Sequence, residues 1–132
     1  MSPLLLDTHV LLWWLSSPSR LSRAQRTALE TVDSEHAAIV SGISLWEIAM
    51  LDSLGRIELS LPLRDWLDKA TAPPLVRIQG ITPPIAAEVA RLPDSVPGDP
   101  ADRLILATAR VLGCRLMTSD AALRKAKVVP TI

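Results

Sequence analysis

Short apolar runs alternate with longer stretches of helical periodicity along this chain. The runs are PLLL at 3–6, AAIVS at 37–41, LVRI at 75–78 and RLMT at 115–118, with KVVP at 127–130 as a candidate fifth. Each has the length of a strand and is bounded by turn-forming or polar residues, so each predicts a strand. The segments between them predict helices over 9–15, 22–32, 44–54, 63–70, 84–92, 100–112 and 120–126. In the second, Ala24, Ala28, Leu29 and Val32 fall on one face. The third runs into Gly55 and the sixth into Gly113, residues suited to a helix C-terminus. The fourth follows Pro62 and is stopped by Pro73-Pro74, and the eleven prolines lie almost wholly between the predicted elements. Such alternation implies an α/β domain with a central, mostly parallel sheet of four to five strands. There is no internal repeat and no linker, so residues 1–132 are expected to form a single domain. The longest expected loop is RLPDSVPGDPADR, and ordered loops of this kind often carry function.

Composition narrows the setting. Hydrophobic residues make up 48% of the chain and the mean hydropathy is +0.28, high for a domain whose small size exposes much surface. Some apolar surface is therefore expected to await a partner. Fourteen basic residues balance fourteen acidic ones, so no net field advertises nucleic acid or membrane, and any nucleic-acid site must be local. Cys114 is the only cysteine, which excludes an internal disulfide framework and fits a reducing cytoplasm. The leucine-rich start is not read as a signal peptide: no Lys or Arg precedes Arg20, and Asp7 interrupts the apolar stretch. No apolar run approaches the roughly 18 residues of a membrane span.

Asp7 is the first chemical clue. A carboxylate among leucines needs compensation. Asp7 stands where the first strand ends and a helix begins, and Asp120 stands in the same relation to RLMT. Glu47 comes three residues after Ser44, and Asp102 three after Asp99, at the starts of two further helices. Capping accounts for each of these singly: Asp accepts from free backbone N–H groups, Ser44 with Glu47 fits a capping box, and Asp99-Pro100 fits N-cap and N1. The set has a second reading. Sites in open α/β sheets form beyond the carboxyl ends of the strands, so four acids at such junctions would meet on one edge and repel one another. A hard divalent cation relieves that repulsion, and oxygen-only donors point to Mg²⁺ or Mn²⁺. The commonest use of such a site is phosphoester hydrolysis, with one or two ions activating water.

LLLDTHVLLWWL, SGISLWEIAML, DPADRLILATAR and LMTSDAAL, in this order and spread over nearly the whole chain, resemble the four acidic signatures of the PIN-domain ribonucleases. They are most similar to the VapC-type toxins of bacterial toxin-antitoxin pairs. The resemblance implies a PIN-like fold with helices on both faces of a parallel sheet, and a Mg²⁺- or Mn²⁺-dependent endoribonuclease inhibited by a cognate antitoxin. By the same resemblance Asp7, Glu47 and Asp102 are the core metal-binding and catalytic acids, and Asp120 is the fourth. Asp99 matches the first acid of the Asp-Pro-x-Asp-Arg stretch, a helix cap first and a support to the site second. Thr118 and Ser119 match a polar position from which a hydroxyl can hold water at the metal. A homodimer is also implied.

Other residues carry competing readings. His9 is a candidate general base or a polar contact on its helix, and Arg103 a phosphate contact or a salt-bridge partner of Asp99 or Glu47. Trp13, Trp14, Trp46 and Trp66 fit core or partner contact better than base stacking, since basic residues are not interleaved with them. RLSRAQR at 20–26 is the one local basic cluster. Leu11, Leu12, Trp13, Trp14, Leu45, Trp46, Ile48 and Met50 exceed what two short helices can bury, and predict an exposed groove for an amphipathic antitoxin helix. An Arg of that helix could reach the acidic site. Two rival functions remain: a haloacid-dehalogenase-like phosphohydrolase, which wants a second Asp where His9 stands, and a non-catalytic binding module whose acids only cap helices.

Overall fold

The computed structural model describes residues 2–132. Four strands, β1 (Leu4–Leu6), β2 (Ala38–Ser41), β3 (Val76–Gln79) and β4 (Arg115–Met117), form a sheet in the order β3-β2-β1-β4, parallel at every pairing. Seven helices accompany them: α1 (Thr8–Ser16), α2 (Arg23–Leu29), α3 (Gly42–Ser53), α4 (Leu63–Ala70), α5 (Pro83–Val89), α6 (Pro100–Leu112) and α7 (Ala121–Ala126). Parallel strands need long crossovers, and these helices supply them on both faces.

The alternation of side chains along each strand divides the core into two layers. Leu4, Leu6, Ala38, Val40 and Met117 face one layer, packed with Val10 and Leu11 of α1, Leu29 of α2, Ile48 of α3 and Trp66 of α4. Leu5, Ile39 and Leu116 face the other, against Ile85 of α5, Ile105 and Leu106 of α6, and Leu123 of α7. Burial on both faces explains why the first strand reads as unbroken leucine. Gly113, in the left-handed conformation at φ 67°, ends α6 and turns the chain directly into β4.

Three expectations are corrected. KVVP is not a strand: Lys127 adopts a left-handed conformation (φ 52°) that breaks extension, and Val128 and Val129 pack half-buried on the second layer. Residues 130–132 instead run along β4, with the Leu116 amide donating to the Pro130 carbonyl at 2.8 Å and the Ile132 amide to the Leu116 carbonyl at 3.0 Å. Ser44 does not cap α3. Strand β2 passes straight into the helix, so Ser41 takes the cap by accepting from the Ile43 amide, and Ser44 is buried in the first turn. The helices expected over 22–32 and 84–92 are shorter, each giving way to turns after Leu29 and Val89.

Candidate active site

Four chain segments deliver acids to the carboxyl end of the sheet. Asp7 leaves β1 and caps α1, accepting from the Thr8 amide at 2.8 Å. Glu47 sits in the second turn of α3. Asp99 caps α6 by accepting from the Asp102 amide at 3.0 Å, which sets Asp102 in the first turn. Asp120 caps α7, its Oδ1 accepting from the Ala122 and Leu123 amides at 2.8 and 3.3 Å. All five carboxylates line one cavity of about 330 Å³, together with Thr8, His9, Trp13 and Ser119. It opens beside the ends of β1 and β4, where the strand order turns back on itself, the usual place for a site in such a sheet. Capping and cavity lining are thus not alternatives: a carboxylate has two oxygens, and one can cap while the other faces inward.

Hydroxyl groups hold the acids. Thr118 is buried behind the cavity; its Oγ1 donates to Asp7 Oδ2 at 2.7 Å and accepts from the Asp120 amide at 3.0 Å. Its single proton is therefore committed to Asp7, and of Thr118 and Ser119 it is Ser119 that lines the cavity. Thr8, not singled out in the sequence, donates to Glu47 and lies 2.9 Å from Ser44 Oγ. A small hydroxyl residue directly after Asp7, at the first position of the helix, was the available signal.

The cavity holds like charge without a counter-ion. Among the described residues the ion pairs are His36–Asp33, Arg64–Asp68 and Arg110–Glu88, none of them with these acids. Burial raises the pKa of Asp102 from 3.8 to about 7, with Asp99, Asp7, Asp120 and Glu47 adding repulsion. Burial likewise raises Asp7, with Asp120 adding repulsion while Thr118, the Thr8 amide and His9 oppose it. Glu47 is also raised by burial, and by Asp7 and Asp99, against the Thr8 hydroxyl and His9. Arg103 does not compensate: its guanidinium donates to the Val96 and Val89 carbonyls at 3.4 and 3.5 Å, tying the loop before α6 to the end of α5.

In donor chemistry the residues fit a hard divalent cation: oxygen ligands only, partly buried and mutually repelling. They are not a closed cage, since among the described residues no three His, Cys, Asp or Glu side chains stand close enough to hold an ion as they are.

The rim differs in character. His9 is exposed, with its ring 5.9 Å from that of Trp13, and the Arg20 guanidinium lies 4.8 Å over the Trp13 ring. From RLSRAQR, Arg20, Arg23 and Arg26 are exposed while Leu21 and Gln25 are buried. Trp66 is core and Trp14 half-buried against it. The expected groove is narrower than predicted: Leu11, Leu12 and Ile48 are buried, because α1 and α3 face the sheet, leaving Trp46 (55% exposed), Met50 and also Leu54 on the outer side of α3.

The PIN-domain family pattern matches residues 4–129. The chain is 47% identical over 124 residues to Ribonuclease VapC22 of Mycobacterium tuberculosis (strain ATCC 25618 / H37Rv), covering 94% of this chain and 92% of that protein. Among solved structures it resembles VapBC2 from Rickettsia felis bound to a promoter DNA fragment (TM-score 0.73, 13% identity, 98% of this chain and 96% of that one). It also resembles FitAcB from Neisseria gonorrhoeae (TM-score 0.68, 21% identity, 98% and 96%). At those identities the structural likeness speaks for the fold alone. A family pattern over almost every residue, and close to half identity across nearly full length, agree with the parallel sheet and its acidic end: the chain belongs to the PIN-domain family, in its VapC-like branch.

Proposed function

We propose that this protein is a Mg²⁺- or Mn²⁺-dependent endoribonuclease, the toxin of a bacterial toxin-antitoxin pair. The observation that carries the chemistry is the cavity lined by Asp7, Glu47, Asp99, Asp102 and Asp120, with no cationic side chain among the described residues paired to any of them. Asp7, Glu47, Asp102 and Asp120 would hold the ion. When bound, a divalent cation supplies acidity to water and positive charge against a phosphodiester.

The side chains do the rest. Thr118 fixes the Asp7 carboxylate and Thr8 that of Glu47, so neither swings freely in the empty field of its neighbours. Asp102, pushed up to about 7 by burial and its acidic neighbours, would give up its proton on taking up a cation. Asp99 shapes the start of α6 that presents Asp102. The exposed imidazole of His9, with Trp13 and Arg20 behind it, gives the approaching polyanion aromatic and cationic contacts at the rim of an otherwise acidic cavity.

The partner reading follows from α3. Trp46, Met50 and Leu54 recur at every fourth residue and stay exposed, an apolar stripe matched to an amphipathic antitoxin helix. The toxin itself is proposed to act in the cytoplasm as a single-domain homodimer. No helix among the described residues is long and apolar enough to cross a membrane.

Purified protein should cleave single-stranded RNA with Mg²⁺ or Mn²⁺ and lose that activity to chelator. Cleavage that persists in EDTA after rigorous purification overturns the metal reading. Induced alone, the protein should arrest bacterial growth, and the product of the neighbouring gene should restore it; unimpaired growth with soluble, metal-binding protein overturns the toxin assignment while leaving the nuclease to be tested in vitro.

A further inference from the structure

Gln25 lies outside the cavity, in the first turn of α2, and the chemistry proposed above does not use it. It is 2% exposed, yet its amide is fully engaged. Its Oε1 accepts from the Ser22 amide at 3.1 Å, while Ser22 Oγ accepts from the Gln25 amide at 3.1 Å, a reciprocal cap. Glu serves such a cap as well as Gln does, so the cap alone does not call for a side-chain amide. The nitrogen supplies the difference. Nε2 stands 3.2 Å from the Thr118 carbonyl, 3.2 Å from the Ile132 carbonyl and 3.4 Å from Ser119 Oγ. A carboxylate in its place would set a buried charge against two carbonyl oxygens.

Thr118 is held at every polar atom. Its amide donates to the Ile132 carbonyl at 3.1 Å, and its carbonyl accepts from Gln25. Its hydroxyl joins Asp7 to the Asp120 amide. Asp7 and Asp120 line the same cavity with charge of one sign, and the Thr118 hydroxyl is the tie between the first and the turn that carries the second.

We propose that Gln25 is a positioning residue of the acidic site. It clamps the Thr118 backbone and the strand-like residues 130–132 beside it, so that the Thr118 hydroxyl stays bonded to both Asp7 Oδ2 and the Asp120 amide and fixes these two acids relative to each other where a divalent cation would be taken up. This rests on the metal reading of the cavity.

The test is calorimetric titration of the full chain with Mn²⁺, comparing wild type with Gln25→Met, Gln25→Glu and Ser22→Ala. Gln25→Met removes donor and acceptor at similar volume; Gln25→Glu keeps the cap and loses the donors; Ser22→Ala weakens the cap and leaves the clamp. Mn²⁺ affinity should fall about tenfold in the Gln25 variants, the low end for groups that support metal ligands, and stay within about twofold in Ser22→Ala although its melting temperature drops. The Mn²⁺ concentration for half-maximal RNA cleavage should shift by the same factor, with KM for RNA unchanged at saturating metal. Unchanged affinity in a folded Gln25 variant, or an equal loss in Ser22→Ala, overturns the proposal. A wild-type protein that binds no Mn²⁺ overturns it together with the metal reading, so the two failures are told apart.

Discussion

Two cavities lie at opposite ends of the sheet. The one at the amino ends of the strands, about 420 Å³, is the larger, lined by Ser2, Pro3, Leu4, Thr31, Glu35, His36, Arg77 and Arg115 among others. Its charges are mixed, and nearby Asp33 is held below the usual carboxylate range chiefly by the His36 and Glu35 amides. The cavity at the carboxyl ends, about 330 Å³, gathers five acids of one sign, and burial with repulsion drives Asp102 the opposite way. Size therefore does not mark the site. Like charge left unpaired is what singles out the proposed site, since carboxylates with raised pKa values cluster where function needs them.

The sharpest way to break this contrast is to neutralise one acid. Asp7→Asn or Asp102→Asn should lower RNA cleavage by on the order of 100-fold or more and abolish calorimetric Mn²⁺ binding. Asn caps about as well as Asp, so metal-free Asp7→Asn should stay within about 0.5 kcal/mol of wild type in urea unfolding, while metal-free Asp102→Asn, which leaves the Asp99 cap intact and removes a half-buried carboxyl from its repelling neighbours, should be more stable than wild type at pH 7. Unchanged cleavage in both would remove the carboxyl-end cavity from the chemistry.

The next largest effect separates two threonines. Thr118→Val strips a buried hydroxyl from both Asp7 and the Asp120 amide, and should cost about 2 kcal/mol of stability in urea unfolding. Thr31→Val, at the other cavity, loses only a bond to the Ala28 carbonyl on an exposed turn, and should cost less than about 0.5 kcal/mol. Equal losses would mean that the hydroxyl at the acidic end carries no special share.

The pH dependence should have opposite signs at the two ends. Between 3.8 and about 7, folded Asp102 keeps a proton that the unfolded chain has released, so the metal-free protein should lose stability as pH rises through that window. Asp102→Asn should flatten the slope. Asp33, with a lowered pKa, contributes stability present above 3.8 and lost as pH falls below it. Melting temperatures of the metal-free proteins from pH 3 to 8 check both signs.

The smallest effect is the expected silence of the larger cavity. Arg77→Ala and Arg115→Ala should leave Mn²⁺ affinity and cleavage within about twofold of wild type, since no charge there bears on the acids. A larger loss would mean that the two ends of the sheet are coupled.

What the sequence determined by itself is whatever depends on local period and on end chemistry. Burial of a parallel strand on both faces demands apolar residues at every position, so PLLL, AAIVS and RLMT announced β1, β2 and β4. Asp99-Pro100 and Gly113 bounded α6 because N-cap, N1 and C-cap geometry are set within a few bonds. The acids at strand and helix junctions were legible for the same reason, and a parallel sheet then gathers them at one end. The tertiary structure decided what depends on partners distant in the chain. KVVP has the composition of a strand, yet the edge of β4 is met by residues 130–132, because the turn at Lys127 determines which part of the tail arrives there. Ser44 has the spacing of a cap, but the direct passage from β2 to α3 left Ser41 at the helix start and turned Ser44 toward Thr8. Arg103 looked like a counter-ion and became a tie between backbone carbonyls. Thr8 and Gln25 are one hydroxyl and one amide among many in the chain; what each one holds is set by residues 36 to 107 positions away, which no local pattern encodes.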